Sequence, residues 1–112
     1  MALLVIGTVV LIEYLHAGQS RHVEIREAFI LLHTRGYTNQ AARLYNHLLN
    51  EMYALSNKQL IDDFQRTLLI VDPGANRPDN LVWKYHWTVS NELEKRAESS
   101  LVRALKLAEE QR

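Results

Sequence analysis

DNLVWKYHWTVSNELEKRAESSLVRALKLAEE, residues Asp79 to Glu110, is the stretch whose reading decides the fold. No glycine or proline interrupts it, and the Pro/Gly-rich run Asp72-Pro73-Gly74-Ala75-Asn76-Arg77-Pro78 stops any helix that arrives from upstream. Asp79 or Asn80 is placed to cap a helix starting there. Apolar residues recur at helical spacing throughout: Val82, Trp83, His86, Trp87, Val89, Leu93, Ala97, Leu101, Ala104, Leu105 and Ala108. Lys84, Asn91, Lys95, Lys106 and Glu109 take the other face, and Glu92 stands four residues before Arg96, the favourable order for a helical ion pair. The pattern predicts one helix of about 30 residues, roughly 45 Å long.

Upstream, the pattern predicts three shorter helices over residues 20–71. Ser20 is placed to cap the first, which runs to about Arg35 with Ile25, Ala28, Phe29 and Leu32 on one face. Gly36 ends it. A second helix from Thr38 or Asn39 to about Leu55 puts Ala41, Leu44, Tyr45, Leu48, Leu49, Met52 and Leu55 on one side. Ser56 and Gln59 form a capping box that opens a third, with Leu60, Ile61, Phe64, Leu68 and Val71 as its stripe. The short connections imply antiparallel neighbours. The expected fold is therefore all-α: a small antiparallel helical bundle with three helices after residue 20, a long C-terminal helix over residues 79–110, and an apolar N-terminal segment. Residues 1–112 read as a single domain, since the length suits one modest core.

The final helix outreaches the others. Residues beyond about Lys95 project past any hairpin with the third helix, although Leu101 and Leu105 would each contribute roughly 1.5–3 kcal/mol if fully buried. Leu93, Ala97, Leu101, Ala104, Leu105 and Ala108, with Trp83 and Trp87, are accordingly the interface candidates. Leu101, Ala104, Leu105 and Ala108 should meet the N-terminal segment or another chain, whereas Trp83, His86 and Trp87 should belong to the local core.

Met1 to Leu15, MALLVIGTVVLIEYL, is the most hydrophobic stretch. It admits a buried core segment, a membrane anchor or a secretory signal. It is short of the roughly 20 apolar residues of a bilayer span, and no basic region precedes it as a signal would require. A buried segment asks for the fewest assumptions. Gly18 then offers a helix stop.

Composition narrows the chemistry. Thirteen basic residues balance thirteen acidic ones, and the basic ones are dispersed, so no field draws the chain to nucleic acid. The absence of cysteine removes disulfides, zinc-thiolate sites and thiol nucleophiles. Glu13 and His16 have the Glu-x-x-His spacing of di-iron bundles, but the second such motif is missing. His22, Glu24 and Glu27 cluster near the start of the first helix, where carboxylates complement the helix dipole without a metal. His86, flanked by Trp83 and Trp87, reads as a hydrogen-bonded core histidine or as a group titrating between states. Neither a catalytic residue nor a cofactor or metal site is assigned.

Gly36-Tyr37-Thr38-Asn39-Gln40-Ala41-Ala42-Arg43-Leu44-Tyr45 resembles the helix-turn-helix junction of tetratricopeptide-type repeats, within a hairpin over about residues 25–52. The resemblance implies a helical hairpin of the kind that serves as a protein-binding scaffold. No second copy follows at repeat spacing. Arg26 and His33, seven apart, resemble the Arg-to-His spacing of HEPN-type helical ribonucleases, with Glu27 where those carry a different polar residue. Leu44-Tyr45-Asn46, with Phe64, is similar to the Leu-Tyr-Arg signature of small mitochondrial accessory subunits, with Asn46 in place of the arginine. The function expected is a non-enzymatic protein–protein interaction module, a small structural or adaptor subunit that binds a protein partner or itself through the C-terminal helix. The alternatives are a membrane-anchored subunit with residues 1–15 in the bilayer and, third, a HEPN-like ribonuclease; a cytoplasmic setting is favoured over a membrane-associated one.

Overall fold

The structure, a computed structural model, describes residues 17–72 and 76–111. Those residues form four α-helices and no strand: α1 Ala17–Thr34, α2 Thr38–Met52, α3 Asn57–Leu68 and α4 Leu81–Glu110. The all-α helical expectation is met. The readings placed on residues 1–16, including the Glu13/His16 pair, lie outside the described residues. No described helix is long and apolar enough to cross a membrane. Contacts gather into two compact units that divide between Leu44 and Tyr45.

In the first unit, α1 begins at Ala17, so Ser20 lies inside the helix and does not cap it. Gly18 lies within α1 as well, and the segment it was expected to end falls outside the described residues. Glycine in a helix costs only about 1 kcal/mol against alanine, too little to end one by itself. Of the expected face, Phe29 is fully buried and Ile25, Ala28 and Leu32 are half-buried. Gly36 ends α1 as expected, and its φ of +83° shows why glycine stands there. The Gly36 N–H donates to the His33 carbonyl at 3.2 Å and the Tyr37 N–H to that of Leu32 at 2.9 Å. These two bonds are the pair that closes a helix through a left-handed residue.

In the second unit, Leu48 and Met52 of α2 and Leu55 just beyond it are buried. Helix α2 stops at Met52, short of the expected Leu55, because the chain tightens there: Ala54 N–H donates to Glu51 and Leu55 N–H to Met52. The capping box opens α3 as read, with Gln59 N–H donating to Ser56 Oγ at 3.2 Å and Ser56 N–H to Gln59 Oε1 at 2.9 Å. The core stripe of α3 differs from the expected one. Leu60, Asp63 and Thr67 are its buried residues, while Ile61 and Leu68 are exposed and Val71 lies past the helix end. Asn80 caps α4, its Oδ1 accepting from Trp83 N–H at 3.1 Å. Helices α3 and α4 pack antiparallel, with Asn57 beside Arg96 at one end and Thr67 beside His86 at the other.

No atom lies within 4 Å of a methyl group added at Gly36, so its substitution is a test of backbone conformation alone. Gly36→Ala should lower stability by about 1 kcal/mol, the left-handed cost less the unfolded-state entropy gain. Gly36→Asn should cost less. An unchanged urea midpoint for Gly36→Ala would contradict the assignment of this turn.

Candidate interaction surface

The long helix is seated by a short polar ladder. Val82, Tyr85, His86 and Val89 of α4 are buried, the i, i+3, i+4, i+7 pattern of a packed face. Opposite stand Asp63 and Thr67, one turn apart on α3 and fully buried. The Tyr85 hydroxyl donates to Asp63 Oδ2 at 2.6 Å, a charge-assisted length. Thr67 Oγ1 lies 2.7 Å from His86 Nδ1 and within 2.9 Å of the Asp63 carbonyl oxygen. If the threonine hydroxyl donates to that carbonyl, the imidazole must supply the other proton from Nδ1. The ring stacks on Phe64 at 4.6 Å between centroids and meets Trp87 edge-on at 5.6 Å. This is the hydrogen-bonded core histidine. Burial also pushes its pKa below the ordinary histidine value.

Above the ladder, Tyr45 of α2 is half-buried, and burial raises its hydroxyl pKa against a hydrogen bond with Thr88 that lowers it. The seat then ends in a clamp. Arg96 Nε pairs with Glu92 Oε1 at 3.0 Å, the ion pair expected from their spacing. Its Nη1 donates to the Leu55 carbonyl at 2.8 Å and to Asn57 Oδ1 at 2.9 Å, and its Nη2 to the Tyr53 carbonyl at 3.3 Å. One guanidinium thereby binds the loop between α2 and α3 to a single turn of α4.

Past the clamp, every described residue from Ala97 to Gln111 is exposed. Leu101 is 60% exposed, Val102 48%, Leu105 59% and Leu107 55%, far beyond the incidental exposure of a single leucine. Ala97, Ala104 and Ala108 lie on the same side as Leu101 and Leu105 at 100° per residue. Of the remaining interface candidates, Leu93, Trp83 and Trp87 are half-buried. The two tryptophans meet edge-on at 6.2 Å and share the side of Leu101 and Leu105, roughly a third of a turn from the face seated on α3. They are less enclosed than core residues, unlike Tyr85. Sequence reasoning missed the exposed Val102 and Leu107, the Asp63–Tyr85 pair, and a second apolar patch at Leu68, Leu69 and Ile70, where Leu69 is 82% exposed.

The other candidates all lie on α1, where Arg26 Nε stands 3.7 Å from Glu27 Oε2. His22 and Arg26 are buried, Glu24 is exposed, and Glu27 and His33 are half-buried. Among the described residues no group of three histidine, aspartate or glutamate side chains is arranged to hold a metal ion. Comparison with known protein families, with curated proteins and with solved structures finds no match to this chain.

Tyr85→Phe removes a donor to a buried carboxylate and should cost about 1.5–3 kcal/mol in chemical denaturation. The linkage sign for His86 is set by its depressed pKa. Below the unfolded value near 6.5 the unfolded chain takes up a proton that the folded ring resists, so stability falls on acidification until the folded pKa is passed. His86→Gln should flatten the decline in urea midpoint between pH 7 and pH 5. An equally steep decline in the variant would place the titration elsewhere.

Proposed function

We propose that this chain is a non-enzymatic helical protein–protein interaction module, a small structural or adaptor subunit whose docking surface is the exposed half of α4. The observation that carries the reading is the abrupt change at Arg96: a helix pinned by buried hydrogen bonds on one side, and Leu101, Val102, Leu105 and Leu107 in water on the other. The local sequence keeps the exposed half helical. It is rich in alanine, leucine, lysine, arginine and glutamate, the strongest helix formers, and it extends a helix whose nucleation has already occurred on α3. A partner therefore meets a preformed helix and avoids the ordering cost of a flexible segment. Covering the remaining exposed surface of Leu101 and Leu105 would contribute about 1 kcal/mol each.

Site-specific photo-crosslinking tests this reading. A benzophenone side chain at Leu105, in the full chain expressed in its own cells, should yield a discrete adduct that Leu101→Glu abolishes. The same probe at Lys84, on the solvated face of the packed half, should yield none. Equal labelling from the two positions would count against a docking surface here.

A further inference from the structure

We draw no further inference here: the strongest candidate, the exposed apolar face of α4 beyond Arg96 with Leu101 and Leu105 at its centre, belongs to the surface already described, and nothing in the structure shows what covers it.

Discussion

The seating of α4 on α3 depends on two buried polar rungs, Asp63 with Tyr85 and Thr67 with His86. A carboxylate and an imidazole withdrawn from water need partners in place, because a buried polar group left unsatisfied costs about 1–3 kcal/mol. The rungs stand one helical turn apart on α3 and on adjacent residues of α4. Sliding one helix past the other by a turn would break both. An all-apolar contact would tolerate such slippage far better. The ladder thus sets register, and Arg96 records that register at the far end by reaching the carbonyls of Tyr53 and Leu55.

Much of this was legible because it is local. The Ser56/Gln59 box, the Asn80 cap, the Gly36 stop and the Glu92–Arg96 pair each involve residues within one or two turns, where spacing determines geometry. The projection of the final helix was legible from length alone. The ladder was not. Asp63 and Thr67 follow Leu60 at helical spacing, but polar residues on a candidate core face read as surface until their partners are known. Ile61 and Leu68 drew the stripe to the wrong side for the same reason. Tyr85 is absent from the expected apolar stripe, because what buries it is an acceptor 22 residues upstream. The reach of Arg96 to a loop about 40 residues away is equally invisible to a local pattern.

Rigidity and exposure are usually opposed in a short helical chain, since unpacked helices fray. Here they coexist because the packed half of α4 supplies the nucleus and the exposed half supplies propensity. The half-buried Trp83 and Trp87 lie on the same side of the packed half, separated from Leu101 by Ser90 and Glu94.

The Arg96 clamp also sets an angular origin for everything beyond it. The helix has no hinge between the clamp and Leu101, so the bearing of the apolar stripe relative to α3 is fixed by the count of residues from one to the other. A single residue inserted after Arg96 would swing that stripe by about 100° and leave the body untouched. An insertion of seven would lengthen the arm by about 10 Å and return the stripe almost to its original bearing. Chain length past the clamp is in this sense a protractor as well as a ruler.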